Sequence, residues 1–394
     1  MKPVSFVSRS LSPTALSSAP QLVSKAPTGD RPTIADIARY CGLSKATVSR
    51  VLGAGRSADG VRALVRPETQ ARVQEAARAL GYLPDLRARA LAAGSTHTIG
   101  LLYTGDAPIL DSVYEPMIRA LTRHLSQAGY HLVFIPVGAN AAPDHHNNTH
   151  PSWSRIVDGY GLDGCIAMHA MSDALRDYLR EVRKPIVLLN VTDEELRPVA
   201  LPDDDNGARL LTDHLADLGH RHTWMWINTE CIDHFSKTTR AKSFVNQAEK
   251  HGMRTRVEHV TRDAFLSMFF DALSGKPADR PTAIMGYSHS EGIELLHFLV
   301  KRGVKVPDDV SVCCFNDVYP TAYTSPALTT VDVPADALGR LGATLMLDAL
   351  DRDNKGLEVD DTAAQAKHIL DEHVIVRAST APPRSGATRV EDDT

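Results

Sequence analysis

Lys45, Ala46, Ser49 and Arg50 fall on one polar face of a short predicted helix, and Ser44 and Thr47 place two hydroxyls at its start. The lysine, arginine and hydroxyl side chains among them can hydrogen-bond phosphate oxygens and base edges, an arginine in two-pronged fashion, while the Ala46 methyl can meet a thymine methyl. The opposite face of the helix carries Val48, Val51 and Leu52. Just before it, Ile34, Ile37, Ala38 and Cys41 recur at i, i+3, i+4 and i+7, the stripe of an amphipathic helix. Thr33 with Asp36 three residues on reads as a variant capping box. Gly42 ends that helix in a left-handed backbone, and Ser44 caps the next. One face of such a pair holds it together while the other can enter a DNA major groove, which is the division a helix-turn-helix requires.

Other chemistries find less support. His145, His146 and His150 lie in a polar loop without the i, i+4 spacing of a helical metal site, so they are read as solvated and no metal is expected. No catalytic triad, paired-carboxylate signature, GxSxG elbow or phosphate-cradling glycine loop stands out, and neither an enzyme nor a cofactor is expected. Cys41, Cys165, Cys231, Cys313 and Cys314 lack ligand spacing. Their odd number and the adjacent pair argue for reduced thiols in a cytoplasm.

At 394 residues and 43% apolar content the chain is long enough for two or three packed units. No segment has the apolar run of a membrane helix. Charge is unevenly spread. Between Arg31 and His97 eleven Lys and Arg face five Asp and Glu, a formal +6, whereas the whole chain is −5. A basic module on an acidic body fits a protein that touches nucleic acid with one end. Residues 1–30, rich in Ser, Pro and Ala, are read as a disordered leader and 381–394 as a disordered tail.

The elements that must position these residues follow in order. A third helix begins at Pro67, with Val73, Ala76, Ala77 and Leu80 inward and Gly81 closing it. Pro84 then breaks the chain, Asp85 can cap a short helix, and Gly94-Ser95 forms a joint. From Thr98 strands alternate with helices: strands at 99–103, 131–137, 164–168 and 184–190, then a second set opening at VALPDDD, with strands near 223–227, 256–260, 282–286 and 310–315. Alternation of this kind implies parallel sheets covered on both faces, and two successive sets imply two Rossmann-like lobes with a cleft at the strand ends.

The run LSKATVSRVL closely resembles the headpiece of the lactose-repressor (LacI/GalR) family of bacterial transcription regulators. The resemblance extends over about residues 33 to 380, through LDG at 162–164, DNGAR at 205–209, HLADLGHRH at 214–222, VPDDVSV at 306–312, SPALTTV at 325–331 and the closing strand VIVRAST at 374–380. It implies an α/β chain with a three-helix helix-turn-helix headpiece at 31–82, a hinge helix and linker at 83–97, and a two-lobe periplasmic-binding-protein-like core at 98–380 that the chain crosses three times. It places Lys45, Ala46 and Arg50 at base-reading positions and matches Ala88 and Leu91 to the minor-groove hinge, while Ser44, Thr47 and Ser49 suit phosphates. Its cleft positions map onto Asp111, Tyr114, Arg240, Ser288, His289 and Asn316. Ser288-His289 and Asn316 depart from the family's usual carboxylates, and His289 could supply a pH-sensitive contact. The loop before Pro67 is longer than the family's, and Arg66 stands where a capping Ser is usual.

The reading is therefore a sequence-specific DNA-binding regulator, a repressor by family habit and cytoplasmic. It is a homodimer on a near-palindromic duplex operator, with a small effector, a carbohydrate or related metabolite, between its lobes. A solute-binding protein or a sugar-processing enzyme on the same two-lobe fold is the alternative. The former needs a secretion signal and no headpiece; the latter needs a nucleophile or acid–base pair in the cleft.

Overall fold

The computed structural model describes residues 32–53, 65–83, 95–104, 113–138, 153–159, 161–196, 198–231, 233–276, 279–356 and 366–384. The expected hinge helix with Ala88 and Leu91, the loop 54–64, Asp111, and His145, His146 and His150 lie outside them. The chain divides into two compact units, residues 1–92 and 93–394.

In the first unit, α1 (Ile34–Cys41), α2 (Lys45–Gly53) and α3 (Pro67–Ala79) close on one small core. Ile37, Val48 and Val73 are fully buried there, with Ala38, Cys41, Ala76 and Ala77 around them. The capping box forms: Thr33 Oγ1 receives the Asp36 N–H, and the Asp36 carboxylate receives the Thr33 N–H at 2.9 Å. Gly42 has φ +60°, which lets the Leu43 N–H turn back to the Ala38 carbonyl at 2.9 Å. Ser44 Oγ accepts the Thr47 N–H at 3.1 Å and starts α2. Arg72 of α3 donates to the Cys41 carbonyl at 2.5 Å, tying the third helix to the first.

The second unit holds two six-stranded sheets. The first contains β1 (Thr98–Thr104), β2 (His131–Val137), β3 (Gly164–Met168), β4 (Ile186–Leu189), β5 (Val199–Pro202) and, from far along the chain, β11 (Lys367–Leu370). Its order is β11-β5-β4-β3-β1-β2, all parallel. The second contains β6 (His222–Asn228), β7 (Arg254–Val260), β8 (Ala283–Gly286), β9 (Ser311–Phe315), β10 (Thr329–Asp332) and β12 (His373–Ile375) in the order β12-β10-β9-β8-β6-β7. There only β12 runs antiparallel to its neighbour. The two orders are the same pattern used twice.

Three expectations need correction. VALPDDD does not open the second set, because β5 pairs with β4 in the first sheet, Leu188 opposite Val199. Hydrophobic pattern marks a strand but says nothing of which sheet it joins. Thr329–Asp332 and Lys367–Leu370 are strands that periodicity did not separate from loop, each being only four residues long. The closing strand is confined to 373–375. Beyond it, irregular backbone is held by Ser379, whose Oγ accepts the Thr329 N–H and whose carbonyl accepts the Val312 N–H, both at 2.8 Å. Within the expected tail, Ala381 donates to Ser311 Oγ and Arg384 pairs with Asp308 at 2.9 Å.

Helices cover both faces of both sheets. On the first sheet, α4 (Tyr114–Gln127) and α11 (Ala335–Asn354) bury Ile99, Leu101, Ile166 and Met168, while α5 (Ser154–Gly159) and α6 (Asp173–Glu181) bury Leu102, Cys165 and Ala167. On the second, α7 (Asp204–Asp217) and α8 (Phe235–Lys250) take Met225, Ile227, Cys313 and Phe315. The remaining pair, α9 (Arg262–Ser274) and α10 (His289–Lys301), takes Trp224, Trp226, Val312 and Cys314. Cys313 and Cys314 thus enter opposite cores, the period-two consequence of lying on one strand. All five cysteines are free thiols.

Candidate nucleic-acid interface and ligand cleft

On α2, Lys45, Ala46, Ser49 and Arg50 are exposed, whereas Val48 is fully buried. Thr47 is half-buried and its hydroxyl lies 2.8 Å from that of Ser44. The Ser44 hydroxyl is already engaged in capping α2, so it presents less free hydrogen-bonding capacity than Ser49. The face opposite the small core is therefore cationic and hydroxylated, and its backbone is fixed by caps at both ends of the turn.

The second unit contains a cavity of about 340 Å³ at the C-terminal ends of both sheets. That is where parallel α/β sheets place ligands, since loops and helix N-termini converge there. Five of the six expected cleft residues line it: Tyr114, Arg240, Ser288, His289 and Asn316, with Asp111 outside the described residues. His169, Asn190, His234, Ser236 and Tyr287, which pattern reading passed over, line it as well. His169 and Asn190 directly follow β3 and β4, and Asn316 directly follows β9. Strand-end position was the signal that could have found the first two.

These three share an uncommon backbone. His169, Asn190 and Asn316 have φ of +82°, +52° and +71°. Left-handed backbone costs a residue with a Cβ, asparagine least of the common types, and such strain persists where surrounding structure enforces it. Its effect here is to turn an amide from each lobe into one cavity. Asn190 is buried, its Nδ2 reaches the Tyr114 hydroxyl at a long 3.5 Å, and its Oδ1 has no hydrogen-bond partner among the described residues.

Arg240 forms the floor on the side of the second sheet. Its Nε donates to Asp204 at 2.6 Å, its Nη1 donates to the Tyr287 carbonyl at 2.9 Å, and its plane lies 3.9 Å from the centre of the Phe315 ring. Burial works against the arginine's charge and the Asp204 carboxylate restores it. Ser288 caps α10, and its hydroxyl and N–H are both taken by Glu291. Its expected contact role therefore competes with a structural one. His234 caps α8: its Nδ1 accepts from Ser236, whose hydroxyl also meets the Tyr287 hydroxyl at 2.7 Å. Its Nε2–H donates to the Asn190 carbonyl at 3.0 Å, joining the second lobe to the first across the cavity. Burial pushes the His234 pKa down to about 3, and the ring stays neutral. Among the described residues no group of three or more His, Cys, Asp or Glu could hold a metal ion, and no helix is long and apolar enough to cross a membrane.

Sequence comparison agrees with both units. The family of bacterial regulatory proteins, lacI family, matches residues 33–85, and the periplasmic binding protein-like domain matches 212–380. The HTH-type transcriptional repressor PurR of Photobacterium profundum is 27% identical over 333 residues, 80% of this chain and 91% of its own. An HTH-type transcriptional regulator encoded in the aml 5′ region of Streptomyces limosus is 29% identical over 89% of this chain and 95% of its own. In fold, the lac repressor dimer bound to operator and the anti-inducer ONPF superposes with a TM-score of 0.70 at 20% identity, covering 89% of this chain and all of that one.

Proposed function

The chain belongs to the lacI family of bacterial regulatory proteins, DNA-binding transcriptional regulators, and from that membership we propose that it is a repressor whose hold on a near-palindromic operator is set by a small molecule bound between its lobes. The observation that carries the effector half is the cavity itself, lined from both sheets and spanned by the contact from His234 to Asn190. A ligand there has different partners in open and closed arrangements, and only such a difference can shift a conformational equilibrium. Regulators of this family are dimeric, and two headpieces on two half-sites account for a near-palindrome.

On the DNA side Lys45, Ala46 and Arg50 are assigned to base edges, and Thr47 and Ser49 to phosphates, with Ser44 contributing beside its capping role. On the effector side the charge balance favours an uncharged, hydroxyl-bearing ligand, a carbohydrate or close relative. Arg240 is already neutralised by Asp204, His234 is neutral, and the buried Asn190 Oδ1 offers an acceptor to a hydroxyl donor. An anionic ligand would compete with Asp204 for the guanidinium.

Selection from a random duplex pool at moderate salt, followed by sequencing of the retained DNA, tests the reading. An enriched near-palindrome supports it and supplies a probe for effector screening. Retention with no enriched sequence, lost steeply as salt rises, would mean phosphate binding alone.

A further inference from the structure

Two buried carboxyl groups share one cation beneath the cleft. Glu372 has no exposed surface, and neither of its oxygens has a hydrogen-bond partner among the described residues. It sits in the two-residue link between β11 of the first sheet and β12 of the second, so it lies on a strand connection that joins the lobes. Its carboxyl is seated on the first turn of α7, so close that a Cβ on Gly207 would collide with Oε2. Asp204, the first residue of that helix, lies just past the point where the chain leaves β5 for the second lobe. It is also buried, with Oδ1 on Arg240 and Oδ2 unpartnered. The charged groups around Glu372 are Asp203 and Asp204 of the β5–α7 corner, Arg240 of α8 and Asp332 of β10. Among the described residues, these set one cation against three further carboxylates around a buried carboxyl. Two buried carboxyls beside one guanidinium cannot both ionise at modest cost, which favours one of them keeping its proton. In keeping with this, burial and the neighbouring Asp204 push the Glu372 carboxyl up to about 8.

We propose that Asp204 and Glu372 hold one shared proton at neutral pH, and that this proton keeps Arg240 aimed into the effector cleft. With Glu372 neutral, Asp204 alone anchors Nε, and the guanidinium stays over Phe315 with an edge toward the cavity. When the proton leaves, a second carboxylate competes for the same guanidinium and draws it toward the strand connections. Asp204 and Glu372 are thus positioning residues for the cleft and couple its geometry to the proton. This inference rests on the reading of the cavity as the effector site, but its test needs neither effector nor operator. Its failure is therefore distinct from failure of the regulator reading, which the DNA selection decides.

The test follows the full-length protein in D2O by infrared spectroscopy, carried from well below to well above about pH 8. A buried protonated-carboxyl stretch is expected at neutral pH, vanishing with a midpoint near 8, absent in Glu372→Gln and moved to lower pH in Asp204→Asn, where Arg240 is left to Glu372. In parallel, the Arg240 Nε–H resonance, assigned through Arg240→Lys, should shift with the same midpoint in the wild type and stay still in Glu372→Gln. Absence of the band at neutral pH, its survival in Glu372→Gln, or a static Arg240 signal through the transition would overturn the proposal. If Glu372→Gln fails to fold, the downward shift in Asp204→Asn decides by itself.

Discussion

Asn190 and Asn316 occupy corresponding places in the two lobes, each one residue past the third strand in its sheet's order, β4 and β9, and both accept a left-handed backbone to face the cavity. Asn190→Gly separates the two contributions. Glycine adopts φ +52° without penalty, so thermal stability should hold or rise slightly, while affinity for the effector should fall about tenfold or more as a buried acceptor is lost. Unchanged affinity, measured by calorimetry with the screened effector, would remove Asn190 from the site. On α2, Arg50→Ala is expected to relax preference at one base pair, costing about 1–3 kcal/mol against the wrong base. A uniform loss on all sequences would make Arg50 a phosphate anchor. Two buried histidines also set a limit in acid. Burial pushes His234 down to about 3 and His220 to about 4, against 6.5 for the free group. Below about pH 6.5 the unfolded chain takes up protons that the folded chain refuses, so these two sites cost stability progressively as pH falls toward 4. Urea midpoints of His220→Gln and wild type should therefore converge on acidification; parallel curves would show that His220 titrates normally.

At the scale of elements, two contacts explain why ordinary helices and strands meet where they do. Asp163, the middle of LDG, accepts the Thr96 and His97 N–H groups, both at 2.8 Å, and the Ser95 and Thr96 hydroxyls, so one carboxylate fastens the chain where it enters the core. Asp163→Ala is expected to cost about 1–3 kcal/mol of stability, since several donors lose an ionised acceptor. Gly339 lets α11 approach α4 so closely that a Cβ would run into the Met117 carbonyl. Backbone cannot yield as a flexible side chain would, so Gly339→Ala should destabilise by about 1–3 kcal/mol. An unshifted melting temperature would mean that the two helices slide apart freely.

Across the whole molecule, the basic and acidic charges follow the two units. The headpiece core is built from residues 34–82 alone, and the four cores of the second unit draw on none of them. A fragment beginning near residue 95 should therefore melt cooperatively with its cleft intact and have no operator affinity. A fragment that fails to fold would show that the second unit depends on the first. The second unit is interleaved in its turn. Residues 98–202 build the first sheet and 222–332 most of the second, after which α11 and β11 return to the first lobe and β12 to the second. Three strand connections thus join the lobes, and Asp204 and Glu372 mark two of them.

The helix-turn-helix was legible from residue order because its signals are local: a stripe at i, i+3, i+4 and i+7, a capping box and a glycine that reverses the chain all act within one or two turns. The alternation of strands and helices was legible for the same reason, together with the parallel sheets it implies. Of the cleft, positions such as Arg240 in TTRAKSF and Asn316 in CFNDV could be named only through the family resemblance, since residue order by itself does not say which side chains face a cavity. Which sheet a strand joins could not be read, since Val199–Pro202 pairs with residues eleven before it and with Lys367–Leu370, more than 160 residues later. Nor could the partners of Arg240, His234 and Glu372. Each is held by groups brought from other strands and helices, and burial, which sets the charge each carries, exists only once both lobes have packed.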